Sequence, residues 1–313
     1  MIGTVERREP HRILVLLPVY NGGAHLVPQL DSILHQQGVE PFLLCRDDGS
    51  QDDSLAVLKD YAQRYPSQIE LLSDDRGNLG ASGSFSLLME TAGVLLEDRA
   101  LHFVALADQD DLWHAERLWR GVEQLLVLEQ KAPGMPALVH SDLRVVTESG
   151  EVIAPSLIAY QGLDPGRVRL RDQLLSNTVT GCTAVMNAAL LHKALPIPPQ
   201  AIMHDWWLSL VASAFGHRCF VDEALVDYRQ HGTNAIGAKK WQPASSIRTL
   251  RQRLFDESSR DDFYAIADQA KVFRQRYAAE LSCWNHLILL CIGGLSVRSV
   301  PLQRLLFRVL RKV

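Results

Sequence analysis

Basic residues are not in excess: Lys plus Arg number 32 against 36 Asp plus Glu, a formal net charge of −4. The electrostatic footprint of a nucleic-acid binder is therefore missing, and no nucleic-acid partner is expected. Cysteine is sparse. The five (Cys45, Cys182, Cys219, Cys283 and Cys291) are odd in number, far apart and mostly set in apolar runs. Neither a disulfide framework nor a zinc knuckle fits that spacing, so they read as reduced packing residues of a cytosolic protein. The longest apolar run, around residues 287–295, falls short of the ~20 residues that span a bilayer. The first twelve residues contain no apolar segment of the signal-peptide kind. No fixed-period repeat, P-loop or G-x-G-x-x-G fingerprint occurs. What is present is a chain of 313 residues, 47% hydrophobic and 22% charged. That is ordinary globular usage, with length for one large domain or two small ones.

The first part alternates strand and helix signals. Short apolar runs at 13–17, 42–45, 69–72 and 103–107 alternate with helical patterns, among them 24–35 and the one through Leu55, Leu58 and Tyr61. Apolar strands separated by helices predict an α/β fold with a mostly parallel sheet covered on both faces. Ligands bind such sheets beyond the C-terminal ends of the strands. Polar clusters stand at three of those four ends. Beyond residue 137 the pattern is mixed: strands at 137–140, 143–146, 182–186, 218–221 and 224–228, and a helix at 203–215. From about Pro243 the chain reads as helical and ends in a basic amphipathic stretch, 302–313.

Asp108-Gln109-Asp110-Asp111 puts three carboxylates within four residues, just after an apolar run. Such crowding suits a hard divalent cation, Mg²⁺ or Mn²⁺, held by carboxylates and substrate phosphates. The plainer alternative is a helix start with Asp111 as its cap. Asp47-Asp48-Gly49-Ser50 also ends a strand; it either receives a base or ribose hydroxyl or forms an Asx turn. Pro18-Val19-Tyr20-Asn21-Gly22 is a turn that joins these in a nucleotide pocket or remains only a turn. Asn78-Leu79-Gly80-Ala81-Ser82-Gly83 looks like a phosphate cradle at a helix start. In His204-Asp205-Trp206-Trp207 the Asp is a helix cap or a general base made more basic by its tryptophans, and those rings are core or a sugar platform. Tyr228-Arg229-Gln230-His231-Gly232 offers a His for a metal and an Arg for phosphate, or two structural side chains.

Taken in order, these motifs resemble family 2 glycosyltransferases, and most of all their bacterial rhamnosyltransferase-like members. The resemblance covers roughly residues 12–238. It implies a GT-A nucleotide-diphospho-sugar transferase fold, with a Rossmann-like, mostly parallel central sheet and a helical C-terminal extension. It divides the chain into a transferase domain, 1–240, and an extension, 241–313. Within the domain the nucleotide-sugar half is 12–136 and the acceptor half 137–240. By position, Asp108 and Asp110 match the DxD pair, Asp110 on the metal and Asp108 on the ribose or the metal shell. Asp48 with Asp47 would meet the base, Pro18 and Tyr20 would line its pocket, and Ser82 would join the donor contacts. Asp205 holds the place of the catalytic base, and His231 would complete the metal or diphosphate site. Many members carry Arg-Asn where this chain has Phe85-Ser86.

The activity so implied is metal-dependent inverting transfer from a nucleotide-diphosphate sugar, with dTDP-rhamnose the favoured donor. The acceptor would be a glycan or a lipid-linked saccharide in bacterial cell-surface polysaccharide synthesis. The rival readings are a nucleotidyl- or phosphoryl-transfer enzyme, which gives Asp205 no role, and a non-catalytic nucleotide-sugar-binding subunit. The expected location is cytoplasmic. The amphipathic C-terminal stretch either packs on the domain or makes peripheral contact with the inner membrane.

Overall fold

The computed structural model describes residues 10–99, 101–230 and 260–311. Its strands are β1 (His11–Val19), β2 (Val39–Asp47), β3 (Ile69–Leu71), β4 (Phe103–Leu106), β5 (Leu112–Trp113), β6 (Ala137–Thr147), β7 (Val152–Ala154), β8 (Val185–Asn187) and β9 (His217–Gln230). Its helices are α1 (Gly23–Leu34), α2 (Ser54–Arg64), α3 (Gly80–Asp98), α4 (Arg117–Lys131), α5 (Leu157–Gln161), α6 (Leu170–Leu175), α7 (Ala188–Ala194), α8 (His204–Phe215), α9 (Arg260–Arg276), α10 (Cys283–Gly293) and α11 (Val300–Leu310).

One sheet runs in the order β3-β2-β1-β4-β8-β6-β9-β5, with β7 paired to β6. The four strands from β3 to β4 are parallel. Beyond β4 the sheet is mixed: β8 is antiparallel to both β4 and β6, while β6 and β9 are parallel. The apolar run of β1 explains its place at the centre. Side chains alternate across a strand, so Leu14 and Leu16 enter the core shared with Phe85 of α3 and Trp207 of α8. Ile13, Val15 and Leu17 enter the opposite core, with Leu30 of α1 and Val122 of α4. Both faces are thus covered, as the fold class requires. Helices α9 and α10 join the first core through Phe273, Ala270 and Leu289. None of the described helices is long and apolar enough to cross a membrane.

Several local expectations change. The strands expected at 218–221 and 224–228 are one strand, β9. Its register against β6 slips between Val221 and Ala224, so Asp222 and Glu223 are accommodated without a turn. The pair 137–140 and 143–146 likewise forms a single β6. The strand expected at 182–186 begins as a 3₁₀ turn, Gly181–Thr183, before β8. Asp111 does not cap a helix: β5 follows it directly, and α4 starts only at Arg117 with Glu116 in the N-cap position. In the segment expected to be helical from Pro243, residues 243–259 lie outside the described residues.

The passage from α8 into β9 depends on a close approach. A Cβ at Gly216 would lie 1.8 Å from the carbonyl oxygen of Pro136, the same oxygen that accepts from His217 N at 2.8 Å. Backbone on both sides cannot give way as a side-chain tip would. Gly216→Ala is expected to lower stability by about 2 kcal/mol or more through overpacking, read as a lower urea midpoint with an unchanged slope.

Candidate active site

The turns after β1, β2 and β4 meet at one edge of the parallel half. Asp48 N donates to Val19 O at 2.7 Å, continuing the β1–β2 pairing into the turns. Asn21 takes positive φ (51°), a conformation Asn tolerates. Its Oδ1 accepts from Gln51 N at 2.7 Å and its own N–H donates to Ser50 Oγ at 2.9 Å. Gln109, between the two acids of the DxD pair, receives Tyr20 N on Oε1 at 2.6 Å and returns Nε2 to Tyr20 O at 2.9 Å. The acid-bearing turn and the Pro18–Tyr20 turn are therefore joined by two hydrogen bonds through one side chain.

Asp48 is 2% exposed, and its carboxylate is already engaged. Oδ1 accepts from Leu79 N at 2.7 Å and Oδ2 from Gly80 N at 2.8 Å, at the start of α3. Oδ1 also receives Nη1 of Arg46. The buried Arg46 donates through Nε to Asp74 at 2.8 Å, through Nη1 to Ser84 Oγ at 2.9 Å and through Nη2 to Gly77 O at 2.7 Å. Asp48 thus ties the end of β2 to the first turn of α3. Asp47 is folded on itself, with Oδ2 accepting from Gly49 N and Ser50 N.

Asp111, after β4, is held differently. Asp111 is fully buried, and neither of its carboxylate oxygens meets a hydrogen-bond donor in good geometry. Its pKa is raised well above the usual range by burial and then by the charges of Asp108 and Asp110. Asp108 is lifted to about 7 by burial, with Asp110 and Asp205 adding repulsion. Ligand atoms of Asp108, Asp111 and Cys182 all lie within 4.8 Å of one another, a grouping suited to a metal ion. Burial and the neighbouring carboxylates push the Cys182 thiol up, so it stays protonated and the oxygens are the available donors. Behind them the buried Arg117 stacks on Trp113, 3.7 Å from the ring centroid. Its Nη2 donates to the carbonyls of Leu106, Cys182 and Ala184 at 3.2, 2.6 and 3.3 Å.

Asp205 lies in the first turn of α8, where Met203 holds the N-cap position without a side-chain bond. Its carboxyl is raised to about 6, by burial against opposing hydrogen bonds from the N–H groups of Trp206 and Gly181 and its own, and from Asn177. Asn177 Nδ2 donates to it at 3.3 Å. A Cβ on Gly181 would sit 3.5 Å from Asp205 Oδ2 and 3.2 Å from His204 Nε2; the turn comes this near because it has none. His204 is buried, stacks on Phe85 at 4.1 Å between centroids, and is kept neutral by burial, down to about 3. The tryptophans divide: Trp207 is core, and Trp206 faces the cleft with Nε1 donating to Gln173 O at 2.6 Å.

These walls enclose a cleft of about 790 Å³, the size of a small-molecule site. Pro18, Tyr20, Asp48, Asp108, Asp110 and Asp205 all line it. Asp47 and Ser82 are not among its lining residues; Asp47 is held in its turn, and at the start of α3 Ala81, Ser84 and Phe85 face the cleft instead. Arg229 meets His25 Nδ1 at 3.0 Å on α1, away from the lining. His231 lies outside the described residues. Sequence reasoning missed Arg46, Gln109, Arg117, Asn177 and Gly181. Gln109 and Arg46 were visible within recognised motifs, whereas nothing local marks the other three. Because Asp48 anchors Arg46 and two backbone donors, Asp48→Ala is expected to cost about 3 kcal/mol of stability. Urea unfolding without ligand checks this; a residue serving only the base would leave the midpoint unchanged.

Known proteins resemble this chain in sequence and in fold. The family profile "Glycosyl transferase family 2" matches residues 14–186. The dTDP-rhamnosyl transferase RfbG of Shigella flexneri is 25% identical over 239 residues, 71% of this chain and 74% of that protein. S. aureus TarS 1-349 in complex with UDP superposes with a TM-score of 0.52 at 17% identity, over 96% of this chain and 91% of that one. A mannosyltransferase from Pyrobaculum calidifontis in complex with GDP-Man and Mn²⁺ gives 0.50 at 15% identity, over 96% and 86%. With more than half its length matched by the family profile, the chain belongs to glycosyl transferase family 2 and is a glycosyltransferase.

Proposed function

We propose that this enzyme transfers a sugar, with inversion, from a nucleotide-diphosphate sugar to a saccharide hydroxyl. The observation that carries the reading is the meeting in one cleft of Asp108 and Asp110 on one wall and Asp205 on the other. The half up to about residue 136 would bind the nucleotide, with Pro18 and Tyr20 against the base. The half from 137 to 240 would bind the acceptor, with Trp206 as a face for a sugar ring. The likeness to RfbG favours dTDP-rhamnose as donor; the acceptor would be a glycan or a lipid-linked saccharide in bacterial cell-surface polysaccharide synthesis.

The donor set fits a divalent cation. Asp108 and Asp110 line the cleft, and behind them the buried Asp111, its pKa raised well above the usual range, holds a proton that a cation would displace. Asp108 and Asp110 would hold Mg²⁺ or Mn²⁺, as the Mn²⁺-bound mannosyltransferase supports, with His231 a further ligand. When bound, the cation supplies charge neutralisation for the departing diphosphate. The remaining chemistry belongs to the chain. Asp205 accepts the proton of the acceptor hydroxyl as that oxygen attacks the anomeric carbon from the face opposite the diphosphate. Asn177 and the N–H of Gly181 hold the carboxylate in place. Gln109 keeps the acids in register with the base pocket.

Asp205→Asn is expected to lose ~10²–10⁴-fold in turnover while keeping donor affinity, measured by released nucleotide diphosphate and by calorimetry. Near-normal turnover would assign the proton to another group. The base works only when ionised, so log kcat/KM is expected to rise with pH up to about 6 and then level off. Asn177→Ala removes a bond that lowers the Asp205 pKa and is expected to move that limb upward.

Asp110→Ala, or excess chelator with the wild type, is expected to abolish turnover while the protein stays folded. Full activity under either condition would remove the metal from the reading.

A further inference from the structure

Helices α10 and α11 carry an apolar surface that none of the described residues covers. Residues 281–313 hold five basic side chains (Arg298, Arg304, Arg308, Arg311 and Lys312) and no Asp or Glu, in a chain whose net charge is −4. The inner face of this segment is occupied: Leu289, Ile292 and Leu295 are buried, Gln303 Nε2 donates to Leu295 O at 2.6 Å, and Leu306 packs against Gly294. The outer face is different. Trp284, Leu287 and Leu290 recur at helical spacing along α10, and Leu302, Leu305 and Val309 along α11. All six are about half exposed among the described residues, from 49% to 57%. Packing of the inner leucines therefore leaves a second, outer set of large apolar side chains unaccounted for. Arg298, Arg308 and Arg311 are exposed on the same segment.

We infer that α10 and α11 form a docking face for an anionic lipid bilayer. Charge selects this occupant. Anionic headgroups complement arginines on a segment free of acids, and large apolar side chains on such helices enter the headgroup–acyl boundary. A second copy of the same face would bring like charges together. Arg311 also reaches a small hollow lined by Leu163, Asp164, Asp172 and Thr178, the first and last of which line the cleft.

The test is flotation of the full chain with vesicles of phosphatidylglycerol and phosphatidylcholine, or of phosphatidylcholine alone, at low salt. The wild type is expected to float with the anionic vesicles and to be released as salt rises. Leu302→Gln/Leu305→Gln/Val309→Gln, at positions half exposed already, is expected to weaken binding at least tenfold without changing the melting temperature. Arg308→Gln/Arg311→Gln is expected to weaken it about 25-fold, at roughly fivefold per arginine. Binding of the wild type to neither vesicle, or equally to both, overturns the inference. So does either variant floating like the wild type. Sedimentation of the wild type as a dimer that the triple variant abolishes, with no flotation, would make this face a contact between copies and equally overturn it. The readout is vesicle binding, so it stands apart from whether sugar transfer occurs.

Discussion

The burial of crowded carboxylates governs this site. Asp108, Asp110 and Asp111 leave the end of β4 within four residues, and α8 brings Asp205 to the opposite wall of the same cleft. Charges brought close where water is scarce repel far more strongly than at a surface. Burial lifts Asp108 to about 7, with repulsion from Asp110 and Asp205 adding to it, and burial alone lifts Asp205 to about 6; Asp111 is raised by burial and then by its neighbours. Each raised acid binds a proton in the fold that it would release in the unfolded chain. The cluster thus draws stability from the fold as pH rises from the ordinary carboxylate range through these raised values. A bound cation would reverse that penalty. Strain of this kind persists only in a scaffold that over-determines the geometry, and the bonds from Gln109 to Tyr20 and from Arg117 to three carbonyls supply that restraint.

One strand away, β2 ends in a carboxylate treated in the opposite manner. Asp48 is as buried as the β4 acids are crowded, yet it meets an arginine and two helix-start N–H groups. The ends of β2 and β4, on either side of β1, have thus been given different electrostatic tasks. The Asp48 turn is neutralised within the protein and holds α3 against β2. The Asp108–Asp111 turn is not neutralised in that way: Asp108 and Asp111 are raised and hold protons that a cation would displace. From spacing alone both read as acids after an apolar strand; only the partner distinguishes them, and Asp74, the other acid on Arg46, lies 28 residues further along the chain.

That difference marks where the sequence was legible. The first four strands, their parallel order and the clustering of polar turns at their ends followed from apolar runs and helix-length spacers, because burial on both faces leaves a continuous signal. The position of Asp108-Gln109-Asp110 after a strand and of His204-Asp205-Trp206-Trp207 at a helix start was legible for the same reason. Contacts between distant segments were not. Cys182 read as the first residue of an apolar strand, but a 3₁₀ turn aims its thiol at Asp108 and Asp111. Asp222-Glu223 fell between two expected strands, but parallel pairing with β6 carries one strand through them. The tryptophan pair could not be divided into core Trp207 and cleft-facing Trp206 until the helix had a direction.

The distance between the acid wall and the proposed base is not set by either motif. It is set by the short turn between them, Gly181–Thr183, and by what holds that turn down. Arg117 grips the carbonyl of Leu106, two residues before Asp108, together with those of Cys182 and Ala184. Gly181, the first residue of that turn, lies against Asp205 and gives its N–H to the carboxylate. One buried guanidinium therefore spans from the strand that presents the acids to the turn that seats the base. Its charge also offsets part of the field of Asp111. Burial lowers its own pKa to about 9, which still leaves it charged at neutral pH. The spacing of the two chemical groups is thus a property of the core beneath them, and a substitution at Arg117 would alter it while touching neither.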